Sequence, residues 1–156
     1  MKKLFLLFIL TIVPFTIKAQ SLEETMDYLN ANILNYAHDK NSALTCESNY
    51  CDITTGYFLT SGERTSFNRM YLKDIKSIAY STNSNELIVI SLLGKVVSYQ
   101  SDYNGNFNSE DLNASNFKIS LNSSTPIDKV NRIIKAMKHA AELGGAKLVN
   151  EDLFKD

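Results

Sequence analysis

The run LIVISLL at residues 87–93 limits the possible fold more than any other stretch of this chain. It is rich in β-branched residues, which suit a pleated surface. Side chains alternate along a strand, so Leu87 and Val89 point to one face while Ile88, Ile90 and Leu92 point to the other, and both faces need cover. Turn-type triplets flank the run, Asn83-Ser84-Asn85 before it and Leu93-Gly94-Lys95 after it, which places it inside an antiparallel meander.

Upstream, Ser21-Leu22-Glu23-Glu24 reads as a capping box, in which serine and glutamate satisfy each other's backbone N–H groups. The spacing predicts a helix over 22–38, with Leu22, Met26, Leu29, Ile33, Tyr36 and Ala37 on its apolar face and His38 and Lys40 at its negative pole. Strands are then predicted at 43–46, 51–60, 64–72, 75–80, 86–92, 95–100 and 117–121, separated by turn signals at 47–50 and 61–63, with Gly56 marking a bulge. The polar stretch 101–116 reads as a long exposed loop.

A second helix is predicted from Thr125 as cap and Pro126 as first helical residue, with Asp128 near the positive pole and Gly144-Gly145 as the stop. Its stripe of Ile127, Val130, Ile134, Met137 and Ala141, with Ile133 beside it, is expected to close the core. The order is helix, six to seven strands, helix, without alternation of strands and helices. It predicts an α+β fold: a strongly curved antiparallel sheet or partly closed barrel with the C-terminal helix packed on it.

The chain opens with Lys2 and Lys3, an apolar run of about a dozen residues interrupted by Pro14, and Ala19, the layout of a secretory signal peptide at 1–19. The run is shorter than the roughly 20 residues that span a bilayer, so no stable membrane anchor is expected after cleavage at Ala19 or Gln20. Export to the periplasm or beyond follows. Cleavage would leave one domain at 20–156 with 13 basic and 17 acidic residues, a net charge of −4, which gives no general attraction to nucleic acid. The two cysteines, Cys46 and Cys51, bracket a turn and are expected to form a structural disulfide closing a short loop, worth about 2 kcal/mol. Redox-active pairs have two intervening residues, and here there are four.

Residues 18–20 (KAQ), the opening SLEETMDYLN at 21–30, FNRMYLKDIKSIAY at 67–80 and RIIKAMKHAAEL at 132–143 together resemble small exported bacterial proteins of unknown function with a pleckstrin-homology-like barrel shape. The resemblance covers most of the chain after the signal and implies a barrel-like α+β fold. The N-terminal helix departs from the plain pleckstrin-homology pattern, and the resemblance names no ligand.

Chemistry is sparse. The sequence holds no G-x-S-x-G, no H-E-x-x-H and no Gly-rich phosphate loop, and no catalytic residue or cofactor is assigned. His38 and His139 with Cys46 and Cys51 have zinc-ligand chemistry but no paired spacing, and His139 reads as solvated on the polar side of its helix. Glu23-Glu24 belongs to a cap and Glu110-Asp111 to a loop; Asn113 and Asn122 head short glycosylation-type triplets. Lys129, Arg132, Lys135 and Lys138 form a basic outer face on the second helix, a place for an anionic partner, although such runs are usually solvated. The sequence therefore points to an exported binding or interaction module whose partner is a protein or an anionic envelope ligand. A small periplasmic hydrolase and an inhibitor or immunity-type protein are the alternatives.

Overall fold

The computed structural model describes residues 20–38, 44–55, 66–83, 87–101, 106–112 and 116–149. The predicted signal segment at 1–19, the predicted bulge at Gly56, the predicted turn at 61–63 and the triplet at 113–115 lie outside the described residues.

Helix α1 (Leu22–Tyr36) starts on the expected capping box: the Glu24 N–H donates to Ser21 Oγ at 3.1 Å, and the Ser21 N–H donates to Glu24 Oε2 at 3.0 Å. It ends two residues earlier than predicted, because Ala37 becomes extended and bridges Leu121. Strands β1 (Leu44–Glu47) and β2 (Tyr50–Thr54) form a hairpin across Ser48 and Asn49, with Cys46 opposite Cys51. Strand β3 (Ser66–Tyr71) pairs with β2. A 3-10 turn, Leu72–Asp74, then leads into β4 (Ser77–Asn83) and β5 (Leu87–Leu93). The chain returns through β6 (Val96–Ser101) and β7 (Phe107–Leu112) before β8 (Asn116–Asn122) and helix α2 (Ile127–Leu143).

Among the described residues the strands build two antiparallel sheets, β1-β2-β3-β6-β7 and β4-β5-β8, and no closed barrel. The α+β order of helix, antiparallel strands and helix is as expected, but the described residues form eight strands in two sheets where six or seven strands in one curved sheet or partly closed barrel are predicted. The 3-10 turn takes the chain out of the larger sheet after β3, and Gly94 brings it back. At Gly94 the backbone passes so close to the turn that an added Cβ would sit 2.4 Å from the Asp74 carbonyl oxygen, which only glycine avoids. The predicted loop 101–116 contains β7. Its side chains at 107–111 are all exposed, so it has no apolar alternation to announce it and is held by its backbone ladder to β6.

Helix α2 buries Val130, Ile133, Met137, Ala140 and Ala141, so the apolar stripe is centred on Ile133 and includes Ala140; Ile127 is 54% exposed and does not belong to it. Thr125 is not the cap. Pro126 holds that position without a side-chain bond, and Thr125 is buried with its Oγ1 lacking a hydrogen-bond partner among the described residues. The helix stops at Gly144, and Gly145 takes the left-handed conformation (φ 92°) that lets the Ala146 N–H reach the Ala141 carbonyl. The α2 face meets α1 and a core that includes Ile78, Ile90, Leu92, Phe117, Ile119 and Leu121 of the smaller sheet and Leu44, Met70 and Val96 of the larger. At roughly 1.5–3 kcal/mol gross per buried large side chain, Val130, Ile133 and Met137 make this contact worth several kcal/mol before ordering costs.

Candidate anion-binding site

Two features stand out from the solvated surface, and they differ in what they can bind. The first lies on the face of the larger sheet turned away from the helices. Register places Tyr50, Asp52, Phe67, Arg69, Tyr71, Tyr99 and Phe107 on this one face. The Arg69 guanidinium donates through Nε to Asp52 Oδ1 and through Nη2 to Asp52 Oδ2, both at 2.8 Å, and lies 3.6 Å from the Tyr50 ring centroid. The Phe67 and Tyr99 rings stack at 4.7 Å. The bond to Asp52 holds the Arg69 proton more tightly than usual. The Tyr50 hydroxyl donates to Glu47 Oε2 at 2.8 Å, and this bond, then burial, raises its pKa; burial, then a bond with Tyr71, raises that of Tyr99. Because a carboxylate already neutralises its cation, this face works as a second, smaller packed layer that stiffens the sheet.

The second feature is a cavity of about 710 Å³ where the two sheets and the chain after α2 meet. Its wall comprises the residues around the 3-10 turn (Lys73, Asp74, Ile75, Lys76), the β5–β6 connection (Leu93, Gly94, Lys95), Leu112, Gly145 and Lys147. Local contacts fix this arrangement. Gly94 rests on the Asp74 carbonyl, and Gly144 packs so closely on Leu72 that a Cβ there would lie 2.5 Å from the Leu72 Cβ. The Lys76 N–H donates to the Leu93 carbonyl, and the Val149 N–H donates to the Lys76 carbonyl at 2.8 Å, which draws Lys147 to the rim.

Among the described residues, four exposed lysines thus surround a space with a single acid, Asp74, while buried Ile75 and half-buried Leu93 and Leu112 give it an apolar wall. None of the four lysines pairs with a carboxylate among the described residues. The size falls within the range of small-molecule sites, roughly 300–1,000 Å³. No protein family model, curated protein or solved structure matches the chain. The site must therefore be read from its own chemistry. Ammonium groups around an apolar wall suit a ligand with an anionic group and an apolar part. Among the described residues, the lining has no serine, cysteine or histidine from which to assemble a nucleophile and imidazole base.

The structure places the residues singled out in the sequence elsewhere. Cys46 and Cys51 are joined, with Cα atoms 4.1 Å apart, as a cross-strand staple. This removes both thiols from any metal set, and no group of three or more His, Cys, Asp or Glu among the described residues could hold an ion. Arg132, Lys135 and Lys138 are exposed on α2 and Lys129 is half-exposed. They form an open face that shares no residue with the cavity. His139 is half-buried rather than fully solvated, and its Nε2 lies 3.2 Å from the Gln20 carbonyl oxygen, joining α2 to the chain just before α1. Sequence reasoning missed the lysine cavity. Lys73 lies between two predicted strands and Lys76 within the second, but nothing in the sequence links them to Lys95 or Lys147.

Proposed function

We propose that this chain is an exported, non-enzymatic binding module that takes a small anionic ligand with an apolar portion into the lysine-rimmed cavity. The observation that carries this reading is four lysines, none paired with a carboxylate among the described residues, around one cavity with an apolar wall. The signal-type N-terminus supports export, and the Cys46–Cys51 bridge fits an oxidising compartment. A partly closed, pleckstrin-homology-like arrangement of the two sheets belongs to the same reading.

Titration calorimetry with dodecyl phosphate, dodecanol and inorganic phosphate tests the proposal. Dodecyl phosphate should bind and the two fragments should bind far more weakly, because each offers only half of the recognition. The double variant Lys76→Glu/Lys95→Glu should weaken dodecyl phosphate binding by roughly tenfold or more, and added salt should weaken binding to the wild type. Equal affinity in the variant, or tight binding of dodecanol, would overturn the assignment.

A further inference from the structure

We propose that β7 is a docking edge for an extended segment of another protein that carries two adjacent basic residues. The two sheets have four edges; the chain itself covers part of those at β1 and β8 and touches the residue that leads into β4. At β1, the Asn30 carboxamide takes the place of a neighbouring strand: its Oδ1 accepts from the Cys46 N–H at 2.7 Å and its Nδ2 donates to the Cys46 carbonyl at 2.9 Å. At β8, Ala37 bridges Leu121 and the His38 N–H donates to the Ser120 carbonyl at 3.1 Å. Beside β4, the Val149 N–H bonds Lys76. The outer edge of β7 has no backbone partner among the described residues, and residues 107–111 are exposed.

The register shows which groups are free. The Thr55 N–H donates to the Ser66 carbonyl and the Leu72 N–H to the Asn49 carbonyl, so in the β2–β3 ladder the backbone groups of Ser66, Asn68 and Met70 face β2. Backbone groups alternate in direction, so those of Phe67, Arg69 and Tyr71 face β6. Carried across β6, the same alternation turns Asn108, Glu110 and Leu112 toward β6 and leaves the N–H and C=O of Phe107, Ser109 and Asp111 pointing outward. Such a row is a template for an added strand.

Charge selects the occupant. Glu110 and Asp111 are adjacent and project to opposite faces, so an antiparallel segment complements both only with two consecutive basic residues. Opposite Phe107, which is 46% exposed and 5.4 Å from the Phe67 ring, an aromatic residue would extend the existing row. A second copy of β7 fits poorly. Opposed side chains share a face, so self-pairing must be centred on one residue. Centring on Glu110 sets two carboxylates directly opposite each other, and centring on Ser109 sets Asp111 against Phe107 and Glu110 against Asn108, so neither register gives an acid a cation.

The test is fluorescence anisotropy with a labelled peptide, TKKVTYT, whose central residues place lysines opposite Asp111 and Glu110, valine opposite Ser109 and tyrosine opposite Phe107. The wild type should bind it. Ser109→Pro removes an outward N–H and leaves the β6–β7 ladder intact, since proline is tolerated on an open edge, and it should weaken binding by roughly tenfold or more. Glu110→Lys/Asp111→Lys should lose the peptide and gain its charge-swapped counterpart, TEEVTYT. In hydrogen exchange, the amides of Phe107, Ser109 and Asp111 should exchange fast in the free protein and become protected by the peptide, while those of Asn108, Glu110 and Leu112 are protected throughout. That alternation decides the matter even if Ser109→Pro does not fold. No binding by the wild type, or unchanged binding by a folded Ser109→Pro, overturns the proposal. So does a wild-type dimer that Ser109→Pro converts to monomer, which would give the edge to a second copy.

Discussion

Asn30 offers a sharp test of how the larger sheet is closed at its first edge. Its carboxamide makes both backbone bonds that a neighbouring strand would make to Cys46, and Cys46 is only 2% exposed. Asn30→Leu keeps the volume of the side chain and removes both bonds, leaving a buried N–H and a buried C=O with little access to water. Each such group costs about 1–3 kcal/mol, and some relaxation toward solvent is to be expected, so the loss should be about 3 kcal/mol. Against a total stability of roughly 5–15 kcal/mol this is large, and for a domain of this size it lowers Tm by about 10 °C. Urea unfolding of Asn30→Leu beside the exposed control Asn35→Leu, which should stay within about 0.5 kcal/mol of wild type, measures it. Asn30→Asp refines the test. It keeps an acceptor for the Cys46 N–H but sets a carboxylate oxygen against the Cys46 carbonyl, which raises the carboxyl pKa in the folded state. That variant should be most stable at acid pH, where the group is protonated, and lose stability as pH rises through the raised value. Asn30→Leu within 1 kcal/mol of wild type would refute the edge-plug account.

Three further outcomes follow from the packing and the titrating groups. Met137→Asp buries a charge at a site 2% exposed and should cost about 4 kcal/mol or more, whereas Lys135→Asp on the exposed face should cost within about 0.5 kcal/mol; thermal unfolding of both separates a packed helix from a loose one. Cys46→Ala/Cys51→Ala should lower stability by about 2 kcal/mol in urea, the loop-entropy value for so short a closure. The folded pKa values of Tyr50 and Tyr99 are raised, so their contribution is complete below the ordinary tyrosine range and is lost as pH rises through the folded values. Stability measured across the alkaline limb should therefore fall with pH, and Tyr50→Phe/Tyr99→Phe should flatten that fall.

Features decided within a few residues were legible in the sequence. The Ser21–Glu24 capping box needs only two groups three positions apart, and the cysteine staple only a hairpin turn between them. The buried face of α2 was legible to within one small rotation, because Ile127 looked apolar at the right spacing but lies beyond the edge of the contact. What stayed hidden depends on partners. The sequence ends one strand at Leu72 and starts the next at Ile75, but nothing in it tells that the turn at Leu72–Asp74 sends the chain into a second sheet. β7 is held by backbone bonds that leave no mark on side-chain pattern. The lysine cavity is gathered by contacts at Gly94, Gly144 and Val149 between segments distant in the chain, so each lysine alone looks like ordinary surface. The Arg69–Asp52 pair depends on the β2–β3 register, which the strand pattern did not specify.

The path of the chain between the sheets also sets an order of assembly. β3 and β6 are neighbours in space, but the whole β4–β5 hairpin separates them in sequence. Joining them through a free loop would cost entropy that grows with loop length. A hairpin forms in about 1–10 μs, and once β4 and β5 have zipped together, the Lys76–Leu93 bond at their base brings the end of β3 to the start of β6. The smaller sheet thus acts as a kinetic template for the middle of the larger one. β8 arrives only later in the chain, so until it docks, the free edge of β5 exposes the most apolar strand of the protein. That interval is when two half-folded copies are most apt to aggregate.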